Sequence, residues 1–504
     1  MLKALADYAR LLRVGTALAR YDVILPGEYH ERLPLPARAA GKILRVFGGR
    51  ARGRPGERFA TALEKLGPAY IKLGQFLGTR PDVFGVETAS DLSRLKDKLP
   101  PFSMAEARKA LAQEFGPEEA NALFPDLSEP VAAASIAQVH RMQTADGPKA
   151  VKILRPRVEA LIALELRALK RAARTVERVS IESRRMEPVA FMDAVGAAME
   201  KELDLRLEAG GADEMRQIAR DGSYFQVPAV DWSRTGRRVL TTDWVDGRAL
   251  THPDALASGD IDKVTLANDV VRGFLTQAIG HGVFHADMHE GNMIITPEGQ
   301  LTLIDFGLIG RIDHSARRFL AEILWGFIRR DYVRVAEVHF EAGYVPPDRS
   351  VGDFAQALRS VGEPIHGKDA SEVSMGRLLL QLLDFTHTFG MHLRPELVLL
   401  QKTMVQVEGV ARTIDPGHDI WAAAEPVVKD WIAQNLGPAG ATRLALSSVR
   451  DITDRLKRLP DVMDKLETSL NQPPPPPPAQ PFAPWWGWFG LIATLGALFV
   501  WAVS

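Results

Sequence analysis

The chain of 504 residues has no cysteine, which excludes disulfides and thiolate metal sites and suits a reducing compartment. It also has no surplus of charge, with 62 Lys and Arg against 63 Asp and Glu. Polyanion binding normally shows as a basic excess, so nucleic acid is not an expected partner. A secretory leader is not expected either, because residues 1 to 27 mix Arg, Lys and Asp with apolar residues in the manner of an amphipathic helix. What is left is an ordinary globular balance, 46% apolar and 25% charged, in a length beyond one ordinary domain.

Against these absences, one segment is dense in chemistry. His285-Ala286-Asp287-Met288-His289-Glu290-Gly291-Asn292 is followed, 13 residues after Asn292 (305 minus 292), by Asp305-Phe306-Gly307. The latter ends the buried-strand pattern Leu301-Thr302-Leu303-Ile304. Phosphoryl transfer needs positioned oxygens and positive charge around the γ-phosphate rather than covalent help. In kinase order, the segment supplies a carboxylate to orient or deprotonate a nucleophile at Asp287, then two hard oxygen donors for Mg²⁺ at Asn292 and Asp305. His285 is expected to brace the loop by hydrogen bonding. ATP and Mg²⁺ are thus the expected cofactors.

A cation for the α- and β-phosphates should sit rigidly on a strand upstream. Ala150-Val151-Lys152-Ile153-Leu154 offers it, since a lysine between apolar neighbours on a strand points away from the core they enter. The glycine-rich hairpin that usually covers the phosphates is missing. In its place stands Ala132-Ala133-Ala134-Ser135-Ile136-Ala137-Gln138-Val139-His140. Alanine keeps such a loop small but does not readily take φ > 0, so these residues and Lys152 are expected to hold the nucleotide in an altered pose.

The alanine-rich loop, Lys72-Leu73-Gly74-Gln75, Glu202-Leu203-Asp204 with Glu208-Ala209, and the 285–292 loop together resemble the UbiB family. These are atypical kinase-like proteins of ubiquinone (coenzyme Q) biosynthesis. The resemblance runs from about residue 72 to about residue 311. It implies an α+β, bilobal protein-kinase-like fold with Lys72 and Gln75 on a helical N-terminal extension over the catalytic cleft. It also implies ATP hydrolysis or small-molecule phosphorylation in preference to protein phosphorylation. Spacing alone, as in ordinary protein kinases, favours Glu165 as partner of Lys152. The resemblance gives that part to Glu202, 50 residues on (202 minus 152), with Glu208 a further acid of the same site. An inserted helix over about 157–185 accounts for the gap, its charges reading as a solvated face. Two departures stand out: Met288 and Glu290 replace prolines, and Gly211 replaces an asparagine. Glu290 faces either the phosphates or solvent.

The expected organisation is a helical extension over 1–125, a small lobe with its helical insertion over 126–247, and a large lobe over 248–470. A proline-rich linker over 471–484 and a transmembrane anchor over 485–503 follow. Strands are expected near 131–142, 149–154, 227–230 and 238–245. The last leads into Asp243-Trp244-Val245-Asp246-Gly247, a hinge whose backbone would bond adenine, with Trp244 either at that hinge or in the core. Residues 315–470 read as helices, with an apolar stripe at Phe319-Leu320-Ile323-Leu324-Phe327-Ile328 and no cluster at ligand spacing. His387, His392 and His418 are expected to be structural or solvated.

The 19 uncharged residues from 485 to 503, opening Trp485-Trp486-Gly487-Trp488-Phe489, are long enough to span a bilayer as a helix with a tryptophan belt. A hairpin or interfacial segment competes with that form. Lys457, Arg458 and Lys465 upstream favour a catalytic body on the cytoplasmic side of the inner membrane. Membrane lipids, quinone precursors and other ubiquinone-biosynthesis enzymes are the implied partners. Two other readings compete. One is a small-molecule kinase resembling aminoglycoside and choline kinases, against which the Lys72-to-Gln75 element speaks. The other is a nucleotide-binding scaffold, against which the carboxylates Asp287 and Asp305 speak.

Overall fold

A computed structural model describes residues 2–23, 53–78, 86–93, 95, 99–179, 187–222, 224–257, 261–364, 388–391 and 395–437. They fall in two compact units, one made of the chain up to Asp213 with Pro228–Val245, the other of Glu214–Val227 and the chain from Asp246.

The first unit opens with helices α1 (Leu2–Arg20), α2 (Pro55–Leu66), α3 (Pro68–Gly78) and α4 (Val86–Ser93). Helix α5 (Met104–Phe115) starts on a capping box, in which the Ser103 hydroxyl accepts the Glu106 N–H while the Glu106 carboxylate accepts the Ser103 N–H. Gly116 ends it, and Pro117 begins α6 (Pro117–Leu123). A four-stranded antiparallel sheet follows in the order β1 (Leu127–Ala133), β2 (Ala137–Thr144), β3 (Gly147–Leu154) and β4 (Val239–Asp243). The strands expected near 131–142 form a hairpin, closed where the Ala134 N–H donates to Ala137 O at 2.8 Å. The turn lets β2 pair with β1 on one edge and with β3 on the other.

Alternation along β3 separates core from chemistry. Val151 and Ile153 are fully buried among Leu111, Phe124 and Met142, while Lys152 lies on the opposite face. Helices α7 (Val158–Val179), α8 (Pro188–Glu202) and α9 (Leu205–Gly222) lie between β3 and β4 in sequence. Phe59, Leu63, Tyr70 and Leu73 of the N-terminal helices join Met199, Leu205, Ala209 and Leu240 in one core. Gly74 permits that approach, for a Cβ there would lie 2.3 Å from Leu95 Cδ1 and 2.7 Å from Leu63 Cδ1.

The solvated face expected for the 157–185 charges is corrected by α7. Glu165, 2% exposed, accepts from Arg10 at 2.7 Å, Arg13 at 2.8 Å and the Tyr70 hydroxyl at 2.7 Å. Fully buried Asp7 accepts from Arg167 at 2.9 Å and Arg171 at 3.0 Å. The cause is helix packing: Leu11 of α1 seats on Ala168 and Ala172 of α7, which draws neighbouring carboxylates out of water, where they must be paired. Burial raises the Asp7 carboxyl, but the bonds from Arg167 and Arg171 outweigh it and hold the group below its ordinary value. Burial, then the Glu165 bond, pushes the Tyr70 phenol up.

The strand expected at 227–230 reduces to isolated bridges, Gln226 with Thr302 and Val230 with Thr242, because Pro228 has no N–H for a ladder.

In the second unit, β5 (Arg248–Ala249) precedes α10 (Lys263–Leu275), whose N-cap Asp262 accepts the Val264 and Thr265 N–H groups. A wide turn at Thr276–His281 leads to β6 (Val283–His285). Strands β7 (Met293–Ile295) and β8 (Leu301–Leu303) form a sheet with β5, and β9 (Ile309–Arg311) pairs with β6. Helices α11 (His314–Arg329), α12 (Tyr332–Glu341), α13 (Val351–Gly362), α14 (Pro395–Ile414) and α15 (Ile420–Leu436) complete the described chain. The apolar stripe read over 319–328 lies on α11, and Phe327 packs with Tyr332, Val335 and Phe354.

The expected C-terminal transmembrane helix is corrected. No helix among the described residues is long and apolar enough to cross a membrane, and 485–503 lie outside those residues. Helices α14 and α15 both carry charged residues within their length, as expected of helices with one face in a protein core.

Candidate active site

Strand β6 ends at His285 and β7 begins at Met293, so residues 286–292 form a short loop tied at both ends. Fully buried His285 braces it. Its backbone N–H donates to Gln277 Oε1 at 3.2 Å, its Nδ1 accepts the Asp287 N–H at 3.1 Å, and its Nε2–H donates to Ile304 O at 3.3 Å. Those ring bonds assign a neutral imidazole with the proton on Nε2. Burial acts in the same direction, holding His285 below its ordinary pKa.

The two predicted metal ligands come together through a backbone ladder. Met293 pairs with Leu303, and the Ile304 N–H donates to Asn292 O at 2.9 Å, so Asn292 and Asp305 stand at one end of β7 and β8. Asn292 Nδ2 donates to Asp287 O at 3.0 Å, so Oδ1 is the atom of this side chain that could serve as a metal ligand. Asp305 has φ 61°, in the left-handed region, and its Oδ1 accepts the Gly307 N–H at 3.3 Å. Such local bonding makes Asp one of the few residues to take this conformation, and single strained positions of this kind cluster at functional sites.

The Asp287 side chain has partners that sequence reasoning missed. Its Oδ1 accepts from Lys402 Nζ at 3.2 Å and Gln406 Nε2 at 3.0 Å, both on α14, while His289 Nε2 is 3.6 Å from Oδ2. Burial raises this carboxyl, but the Lys402 charge, the Gln406 bond and His289 outweigh it, so Asp287 stays below its ordinary value and ionised near neutrality. Glu290 is turned to the same helix, accepting from Thr413 Oγ1 at 2.7 Å. The helical spacing of Lys402 and Gln406, four apart (406 minus 402), was the available signal, but no motif singles out that face.

In the first unit, the assignment of Glu202 to Lys152 is corrected. Lys152 Nζ lies 2.7 Å from Glu208 Oε1 and 3.0 Å from Oε2, whereas Glu202 lies 3.0 Å from Lys72 Nζ. Glu202 ends α8, and the chain restarts as α9, so only the later residue lies against β3. Gln75 donates to Leu95 O at 3.4 Å.

The alanine-rich loop is only partly available to a nucleotide. Ala132, Ala133, Ala134 and Val139 keep accessible surface, whereas Ser135, Ile136, Ala137, Gln138 and His140 are buried. Gln138 Oε1 accepts the Phe102 N–H at 2.9 Å, and its Nε2 donates to His140 Nε2 at 2.9 Å. His140 Nδ1–H donates to Ser128 O at 2.7 Å. Arg155 holds Ala134 O at 2.8 Å and Pro100 O at 2.8 Å. The expected phosphate role for Gln138 and His140 is thereby corrected: on a strand they share the inward face with Met142, and their polar atoms hold β1 and the segment before α5.

At the hinge, the Asp243 and Trp244 N–H groups donate to Ala229 O and Pro148 O, each at 2.9 Å, and are not available to adenine. The Trp244 ring is half-buried beneath the Arg141 guanidinium, 5.1 Å from its centroid, rather than in the core. His418 is structural, buried with Nε2 3.2 Å from Asn268 Oδ1. His387 and His392 lie outside the described residues.

Among the described residues, no group of three or more His, Cys, Asp or Glu could hold a metal by itself. One amide oxygen and one carboxylate do fit Mg²⁺, which keeps several waters and takes phosphate oxygens as its remaining ligands.

Residues 94–339 match the ABC1 atypical kinase-like domain, and residues 358–419 match the UbiB helical domain. The chain is 33% identical over 464 residues to the probable protein kinase UbiB of Marinobacter nauticus, covering 90% of this chain and 84% of that protein. The chain belongs to the UbiB family. A second UbiB relative, from Aeromonas hydrophila, is 35% identical over 467 residues, covering 91% of this chain and 85% of the relative. The complex of Rv3197 with erythromycin from Mycobacterium tuberculosis aligns with a TM-score of 0.53 at 23% identity, over 78% of this chain and 96% of that one. At that identity the likeness supports the α+β kinase-like fold alone. Within the UbiB framework, Asp287 belongs to the atypical kinase domain and Lys402 to the helical domain, so side chains of both domains meet at one carboxylate.

Proposed function

We propose that this UbiB-family protein is an ATP- and Mg²⁺-dependent atypical kinase or ATPase that supports ubiquinone biosynthesis by ATP-dependent handling of lipid-soluble quinone precursors. The observation that carries the reading is the joining of Asn292 and Asp305 at the end of β7 and β8, beside a loop that holds an ionised Asp287. Bound Mg-ATP supplies the transferable phosphoryl group. Asn292 Oδ1 and the Asp305 carboxylate would hold the metal, Lys152, fixed by Glu208, would neutralise phosphate charge, and Asp287 would orient the attacking nucleophile. Asp287 is a better orienter than proton acceptor, because a carboxylate held at low pKa binds a proton weakly. The protein acts at the cytoplasmic face of the inner membrane, where such precursors reside, alongside membrane lipids and other enzymes of the pathway.

ADP release by the purified protein in anionic-lipid nanodiscs tests this, with Mg-ATP and with or without a phenolic quinone precursor. Turnover that rises with precursor and is lost in Asp287→Asn is the expected result. Nucleotide binding without turnover under every condition would sink the reading in favour of a scaffold, and a phosphorylated small product would point to a small-molecule kinase.

A further inference from the structure

We infer that the UbiB helical domain supplies a positioning residue to the catalytic loop: Lys402, supported by Gln406, holds Asp287 in the orientation that turnover requires. The inference rests on the reading of Asp287 as the residue that orients the nucleophile. The loop 286–292 contains no Lys or Arg of its own, so a permanent cation for Asp287 must come from elsewhere in the chain. Helix α14 brings one to 3.2 Å.

The arrangement along α14 is directional. Lys402, Gln406 and Thr413 are separated by 4 and 7 residues (406 minus 402, 413 minus 406), close to one and two turns, so they share one stripe of the helix. That stripe bonds Asp287 twice and Glu290 once, and neighbouring Thr403 Oγ1 donates to Ala286 O at 3.1 Å. The opposite side of α14 is apolar: Met404 and Val407 line a small cavity with Val271, Phe274, Leu324 and Trp421. One face therefore anchors the helix in the core of its unit while the other holds the loop. Lys402 and Gln406 both occupy Oδ1, so Oδ2, with His289 Nε2 at 3.6 Å, is the oxygen that would meet a nucleophile. A helix serving only as packing would present apolar side chains to the loop instead of four polar ones.

Steady-state ADP release by the full-length protein at varied Mg-ATP decides the matter, with Mg-ADP affinity and melting temperature measured on the same samples. Lys402→Met is expected to lower kcat by about ten- to a hundredfold, with KM and Mg-ADP affinity within about threefold of wild type. Lys402→Arg should recover kcat to within about threefold, because the cation returns to the same helix position. Lys429→Met, at an exposed lysine of α15, controls for the loss of one positive charge and should match wild type. Unchanged kcat in Lys402→Met overturns the inference. So does a loss confined to KM, nucleotide affinity or melting temperature that arginine does not rescue, for that marks a merely structural residue. A wild-type protein that binds Mg-ADP yet never turns over Mg-ATP overturns the underlying functional reading instead, and the inference falls with it.

Discussion

Two carboxylates in this protein are held by cations from distant helices, and they are held differently. Glu165 on α7 is almost wholly enclosed, its two oxygens taken by two arginines and a tyrosine. Asp287 keeps a third of its side-chain surface, and both of its strong donors share one oxygen. The first arrangement leaves nothing for a substrate and belongs to the docking of α1. The second leaves Oδ2 with only the more distant His289, as the proposed role in orienting a nucleophile requires. A charged pair is thus read by what it leaves uncovered, not by its distance.

The largest test of the difference is at the metal end of the loop. Asp305→Asn should weaken Mg-nucleotide binding by at least about a hundredfold while circular dichroism stays that of wild type, since in the proposed site the residue would contribute a charge to the metal and little to the core. Retained Mg-ATP affinity in that variant would separate Asp305 from the metal.

Next comes the enclosed carboxylate. Glu165→Ala leaves the buried Tyr70 hydroxyl without its acceptor, while Arg10 and Arg13, 28% and 52% exposed, can turn to water, so a cost of about 1 to 3 kcal/mol is expected. Denaturant unfolding should therefore show a clear drop in stability, and a drop below about 1 kcal/mol would mean that water replaces the carboxylate easily.

The companion pair at Asp7 sharpens the comparison through pH. Its folded-state pKa is depressed below 3.8, so the stability it contributes is present above that value and is lost as pH falls through the lower folded one. Unfolding curves of wild type and Asp7→Asn should differ at neutral pH and converge as the pH drops below about 4. Curves that stay parallel to acid pH would assign the contribution to packing rather than charge.

The smallest effect is expected at Thr413→Val, which removes a single hydroxyl bond to Glu290. A loss of about 0.5 to 1.5 kcal/mol in thermal unfolding is expected, and a loss several times larger would show that this bond holds the loop against α14.

Short-range order made much of the site legible. The 285–292 loop, Asp305 and Lys152 were identified by strand periodicity and spacing, because a strand places alternate side chains on opposite faces whatever surrounds it. Gln138 and His140 defeated the same reasoning, since being near a phosphate loop in sequence does not say which of its side chains the core will claim. The lysine partner was misassigned for a related reason. Glu202 and Glu208 lie six residues apart (208 minus 202) across a helix break, and only the path of α9 determines which one meets β3.

By itself the sequence determined the class of protein, the order of its chemical groups and the strand that carries Lys152, since all of these follow from local periodicity and motif spacing. Tertiary structure alone decided which acid meets which base. Lys402 reaches Asp287 across 115 positions, and Arg10 reaches Glu165 across 155. Pairings at such separations are set by helix packing, which no local pattern encodes. In these places the burial of apolar surface comes first, and the charges it encloses must then find partners.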